Sequence, residues 1–542
     1  MRLAGTIRRT VEAAALESPE KKPERDWRPA AWSSGLALAL YAITLGGTYV
    51  YDDVYIVQLD PRLRDPWRWI EFWTRDYFNG GIDNLYRPLV SMSYAIQTLI
   101  HGNGEDRAWL FHLVNWLLHG AVSGCVAEFT RRISSSRIAL IAGLLFAAHP
   151  IHVEVVANIV GRAELMCGLG IMCAMLSFIW RPMSVGRAID IWAWFVLALL
   201  SKEQGMLLPL ALLISAPLRK NAPVSPDVNP KVERLGSMWL FVLLAWTLAS
   251  YVFLRENTLN LKFWWERGFL DWTINPLVLS EGAQQWLVPV ALIGRYVALL
   301  VAPVSLSLDY GANVILPSVS ARDPYLYLGL IAITAWIALL IVALRRRRWL
   351  VACALMLLAI FYSVVANIAT LIGVNFAERL MYIPSIFFLI IVARYLAGLR
   401  RRLMIVVVSI VLALLSLRTV TYAWQWNDRM WIYRHALEKQ PKSLRAHLLL
   451  AEELRERKEY DRAEEVLARA RGIEPDYWRL WLDSAVNQAA KGDRALAAKY
   501  ISRAAGIRPS LRQSDLYQDL MTPPASLPAT VPATVPASAP SR

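Results

Sequence analysis

Asp52 and Asp53 stand side by side directly after the first long apolar run, Trp32 to Val50. Ionisable groups are costly inside a bilayer, so a carboxylate pair at its edge is either a solvated helix end or put to use. Further polar groups recur along the chain: Tyr86-Arg87-Pro88, then His149-Pro-Ile-His152-Val-Glu154 running on to Gly161-Arg162-Ala-Glu164. Ser201-Lys202-Glu203 follows, and Glu378-Arg379-Leu-Met-Tyr382-Ile-Pro384 opens a late apolar segment. A carboxylate can serve as general base or metal ligand, while Arg and Lys can clamp a phosphate. Brought together at one membrane boundary, these groups suit a lipid-phosphate substrate presented at the interface. His112, Asn115 and His119 share one helical face, where satisfied intramembrane contacts are a simpler reading than catalysis.

The elements that must position these residues are apolar helices. The chain of 542 residues is 56% hydrophobic, with repeated apolar runs bounded by Arg and Lys, the pattern of an all-α polytopic membrane protein. The net charge of +15 does not point to nucleic acid, because Arg131-Arg132, Arg345 to Arg348 and Arg400 to Arg402 stand at membrane borders. The four cysteines lie within apolar runs, which implies neither a disulfide framework nor a zinc motif. Residues 1–30 are polar and mixed in charge, with no small-residue cleavage site after the first run, so that run reads as a signal anchor behind a cytoplasmic basic tail. The chain carries no Asn-x-Ser/Thr sequon, which leans towards a bacterial source.

Residues 51–107 form a first outer loop rich in Trp and Tyr, suited to interfacial helices. Within it Leu89 to Ile100 is too short to span and reads as half-inserted. Spans follow near 109–129, 137–149, 163–180, 187–201 and 204–218, with basic borders at Arg181, Arg187, Arg219 and Lys220. Between Arg219 and Arg345 lie three apolar segments (237–255, 285–302, 324–344) where parity requires an even number, so one is expected to be re-entrant. Spans at 349–371, 380–397 and 403–418 complete a membrane domain over 31–420 with about eleven crossings.

Pro441, Pro475 and Pro509 recur every 34 residues, as do Ala451/Ala485, Ala463/Ala497 and Ala470/Ala504. Small residues at these offsets let paired helices pack closely. This is the period of tetratricopeptide (TPR) repeats, expected over 431–510 and leaning on the membrane domain or a partner. Residues 522–542, with PATVPATVPAS, read as a disordered Pro/Ala tail.

The acidic pair, YRPL, FHLVNWLLH, HPIHVEVVANIVGRAEL, SKEQG and FAERLMYIPS, in that order and ahead of TPR repeats, resemble the transmembrane-and-TPR O-mannosyltransferase (TMTC) family. That family lies within the C-type glycosyltransferase superfamily, and the resemblance covers roughly residues 30–510. It implies an inverting transferase that moves a monosaccharide, mannose in the family, from a polyprenyl-phosphate donor to a protein Ser/Thr or glycan hydroxyl outside the cytoplasm. By that resemblance Asp52 or Asp53 takes the acceptor proton, and Arg379, with Arg162, Lys202 and Arg87, holds the donor phosphate. His149, His152 and Glu154 orient the acidic pair or bind a divalent metal (Mn, Mg or Zn), and Glu164, Glu203, Glu378 and Tyr382 complete the pocket. The TPR region would recruit acceptor or partner protein. The expected location is a bacterial inner membrane with a periplasmic site, or the endoplasmic reticulum in a eukaryote. The repeat array is shorter than in animal members, so neither acceptor nor sugar transfers automatically. A transporter or a non-catalytic membrane scaffold is the rival class; neither accounts for charge gathered at one boundary.

Overall fold

The computed structural model describes residues 26–78, 85–179, 183–219, 230–259 and 272–522. Most of the expected amino-terminal tail, nearly all of the Pro/Ala tail, Arg181 and Lys220 lie outside the described residues. Among the described residues every regular element is helical. Among the described residues eight helices are long and apolar enough to cross a membrane, or nine if a bent pair, Ser136–Ala148 with Pro150–Ala157, counts as one.

That number is below the eleven expected, and the reason is length. Val185–Ser201, Leu208–Arg219 and Trp349–Ser363 have 17, 12 and 15 residues. At 1.5 Å per residue the shortest reaches about 18 Å, against a hydrocarbon core of about 30 Å. The segment between Arg219 and Arg345 also differs from expectation. Pro230–Thr258, Gln284–Val301 and Pro324–Arg345 all have spanning length and composition, so length does not single out a re-entrant member among them.

Sequence chemistry sets the helix ends. Ser135, Ser184 and Asp323 accept a hydrogen bond from a backbone N–H of the first turn, and Pro88 and Pro324 occupy first-turn positions where no N–H is needed. Ile159–Ile179 has 78% of its apolar window buried and Glu378–Leu396 has 67%, which makes these two the centre of the bundle. Pro230–Thr258, Pro324–Arg345 and Arg401–Gln425 have 17% each and form its apolar periphery, the side that lipid would cover. Where Gln284–Val301 crosses Pro324–Arg345, Gly294 and Gly329 face backbone carbonyls so closely that a Cβ at either would collide. Small residues there allow the close helix approach common in membrane bundles. The segment Leu89 to Ile100, expected to be half-inserted, lies in the helix Pro88–His101, with Leu99 and Ile100 exposed.

After the last long helix come Arg429–Lys439, Leu444–Glu456, Tyr460–Ile473, Trp478–Lys491 and Arg494–Ile507. The two central pairs repeat at the 34-residue offset. Ala451, Ala463, Ala470, Ala485, Ala497 and Ala504 are fully buried at their contacts, and each periodic proline follows a helix end. The repeats are not free-standing. Ser443 donates to Asp309 (2.7 Å), and Tyr477 stacks edge-on against Trp272 (5.8 Å). His435 pairs with the Leu306 carbonyl. The loops around 272–280 and 302–323 thus seat the repeats on the membrane bundle.

Candidate active site

The chain leaves its first helix at Gly46 and turns sharply at Tyr51, whose φ of +59° is rare for a residue with a side chain. This turn aims the two aspartates differently. Asp53 is fully buried; its Oδ2 accepts from the N–H groups of Val50 (3.3 Å) and Ile159 (3.1 Å), and its Oδ1 from Val160 (2.8 Å). Burial pushes its carboxyl up to about 8, against the pull of the three donors. Every contact atom is a donor, so the ionised form is the one this geometry satisfies. Asp52 remains partly exposed and pairs at 3.7 Å with Arg445, from the first repeat helix. Directly after the pair, Val54–Gln58 winds as a π turn, closed by the Leu59 N–H on the Val54 carbonyl.

The second motif breaks a helix. Pro150 cannot continue Ser136–Ala148, and the axis bends by 51°. Beyond the bend Glu154 is buried and grips Arg379: its Oε1 accepts from Nη1 (2.5 Å) and its Oε2 from the Arg379 backbone N–H (2.9 Å). Nη1 is the only guanidinium nitrogen of Arg379 that makes a hydrogen bond among the described residues, and the side chain keeps 20% exposure. Arg379 lies within electrostatic reach of Tyr51, Asp52 and Glu164. Two further pairs continue the cluster: Lys202 on Glu164 (2.5 Å, both buried) and Arg87 on Glu203 (3.0 Å). Arg87 also senses Glu164. Four ion pairs drawn from six separate parts of the chain thus act on one another electrostatically.

Other expected members are held elsewhere. Arg162 is fully buried, with Nε on Asn115 (3.0 Å), Nη1 on Ser93 (3.2 Å) and Nη2 on the Phe111 carbonyl (3.0 Å), over the Tyr94 ring at 4.5 Å. All three guanidinium nitrogens of Arg162, expected on the donor phosphate, are engaged within the protein, as a strut's would be. Arg162→Leu is expected to strand Asn115 and the Phe111 carbonyl and cost about 3 kcal/mol of stability or more. A melting curve of the purified protein reads this; an unchanged curve with weakened donor binding would restore the phosphate role.

His149 and His152, expected to orient the acidic pair or bind a metal, are held by partners within the bundle. His149 accepts from the Ile151 N–H through Nδ1 and donates to the Leu300 carbonyl through Nε2 (3.0 Å). His152 donates to the Phe146 carbonyl (2.9 Å) and meets the Ser385 hydroxyl (2.8 Å). With both ring nitrogens of each already engaged and Glu154 on Arg379, these residues do not fit a metal; among the described residues no group of three potential ligands is suitably spaced. Tyr382 is buried against His119 (3.0 Å), and Glu378 is buried on Tyr310 and the Ser307 N–H (2.7 Å each), so neither lines the exposed side of the cluster. His112 meets the Thr48 carbonyl through Nε2, its buried Nδ1 having no hydrogen-bond partner among the described residues, and Asn115 meets the carbonyls of Asn158 and Ile159. Sequence reasoning missed Arg445, which sits in a charged helix with nothing local to distinguish it.

Fold and cluster together define an all-α polytopic membrane protein whose ion pairs include one, Asp52 with Arg445, made to a helical repeat. The comparisons narrow this. The chain is 37% identical over 187 residues to protein O-mannosyl-transferase tmtc2 of Xenopus laevis, covering 32% of this chain and 22% of that protein. It is 24% identical over 484 residues to human protein O-mannosyl-transferase TMTC3, covering 82% of this chain and 51% of that one. A Caenorhabditis elegans protein O-mannosyl-transferase, F38B6.6, is 24% identical over 434 residues, covering 77% and 59%. The chain is a homologue of these TMTC-type proteins, and its matches span about half the length of the longer-matching relatives. No protein-family model matches it, and no solved structure does.

Proposed function

We propose that the chain is a membrane glycosyltransferase that moves one mannose from a polyprenyl-phosphate donor to a Ser or Thr hydroxyl of a protein on the extracytoplasmic side. The observation that carries this reading is the Arg379–Glu154 pair, whose guanidinium keeps an open edge and feels the charge of Asp52, more than three hundred residues away in sequence. The names of the homologues support the sugar and the acceptor class.

The chemistry needs one base and one anion site. Asp52 takes the proton as the acceptor oxygen bonds to the sugar C1; the bond from C1 to the phosphate oxygen breaks on the opposite face. Its electron pair leaves on the polyprenyl phosphate, and the configuration at C1 inverts. The departing group is already a phosphate, so it needs charge stabilisation more than protonation. Arg379 supplies this through the guanidinium edge that Glu154 leaves open. Asp53, with both oxygens occupied, shapes the loop instead. Lys202 and Arg87 are each matched to a carboxylate and serve mainly to hold the cluster.

The test is transfer in proteoliposomes containing the full-length protein, a synthetic polyprenyl-phosphate mannose and Ser/Thr-rich acceptor polypeptides. Hexose on Ser or Thr, dependent on the lipid donor, is the expected result. Flipping of the intact donor without transfer would establish the transporter reading instead.

A further inference from the structure

The sequence has the repeats leaning on the membrane domain or a partner; the contacts set the residues that open them against the turn carrying Asp52. Arg445, on Leu444–Glu456, reaches Asp52 at 3.7 Å and lies over the Tyr51 ring at 4.5 Å. Tyr433, on the preceding helix, accepts the Tyr51 N–H through its hydroxyl (3.2 Å). Arg429 donates to the Tyr49 carbonyl (2.9 Å), and Asn427 to that of Ile43 (3.0 Å). The turn that aims Asp52 is therefore clamped along its length by residues 427–445, and Tyr51, the strained residue of that turn, receives two of these contacts. A left-handed tyrosine persists only where its surroundings over-determine it.

We propose that Arg445 is a positioning residue for Asp52, holding the carboxylate beside Arg379, so that the first repeat helix is a wall of the reaction site. This rests on Asp52 being the base. Arg445 itself touches neither reacting atom; it acts through the orientation of its partner. Small misplacements of a reacting group lower turnover while ground-state binding persists.

The experiment compares full-length wild type, Arg445→Met and Arg445→Lys in proteoliposomes with polyprenyl-phosphate mannose. It also measures amide hydrogen exchange over residues 50–58. Arg445→Met should lower kcat roughly 10–100-fold with the donor KM nearly unchanged, and Arg445→Lys should recover most of the loss. Exchange over 50–58 should quicken in the Met variant and revert in the Lys variant, with melting unchanged. Wild-type kcat and wild-type exchange in Arg445→Met would overturn the proposal, as would faster transfer, which would make the contact an inhibitory one. If wild type transfers no sugar, the functional reading fails by itself. The exchange data then still decide whether Arg445 holds the turn: quickened exchange upholds the clamp and unaltered exchange overturns it.

Discussion

Asp52→Asn is expected to slow sugar transfer by about 10²–10⁴-fold, the range that a positioned general base supplies. Its insertion and accumulation should stay at wild-type level, because Asp52 is partly exposed and makes one long ion pair. The neighbouring substitution should behave differently. Asp53→Asn turns one acceptor oxygen into an NH2 group facing backbone N–H groups of Val50, Ile159 or Val160. An unsatisfied buried donor costs about 1–3 kcal/mol, so this variant should lose folded protein before it loses chemistry. Measuring both the amount of folded protein and the turnover per folded molecule separates the two. Full turnover in Asp52→Asn, or intact stability with abolished turnover in Asp53→Asn alone, would reverse the assignment.

The second large effect falls on Arg379. Arg379→Met removes the cation proposed to face the leaving phosphate, and loss of such a stabilising group costs about 10²–10³ in kcat. It also leaves Glu154, which is buried, without its partner; breaking a buried pair in that way destabilises by about 3–5 kcal/mol. These effects can be pulled apart. Adding Glu154→Gln to Arg379→Met removes the stranded charge and should restore much of the melting temperature while transfer stays low. If the double variant regained transfer along with stability, Arg379 would be a scaffold residue and the phosphate would have to bind elsewhere.

The predicted roles differ in how far the sequence alone could reach them. Hydrophobic periodicity marks the helices well, because burying or exposing an apolar stripe is a local property of eighteen or more residues. It overcounts crossings where a run such as Leu208–Arg219 is apolar but only 12 residues long, since helix ends are set by caps and turns that the run itself does not reveal. The 34-residue period is legible for the same local reason: the buried alanines must recur wherever two helices touch. The motif residues were legible as polar groups at a boundary. Their individual duties were not.

What the sequence by itself determines is the inventory: an all-α membrane chain, a helical repeat behind it, and acids and bases stationed at helix ends. Which of them face each other was decided only by tertiary structure. Arg162 and Arg379 look alike in their motifs, yet one is bonded on every nitrogen and the other keeps an open edge. Asp52 and Asp53 are adjacent, yet a left-handed Tyr51 sends one into the core and the other towards Arg445. The physical reason is that a side chain's duty depends on desolvation and on partners, and both are supplied by segments hundreds of residues away.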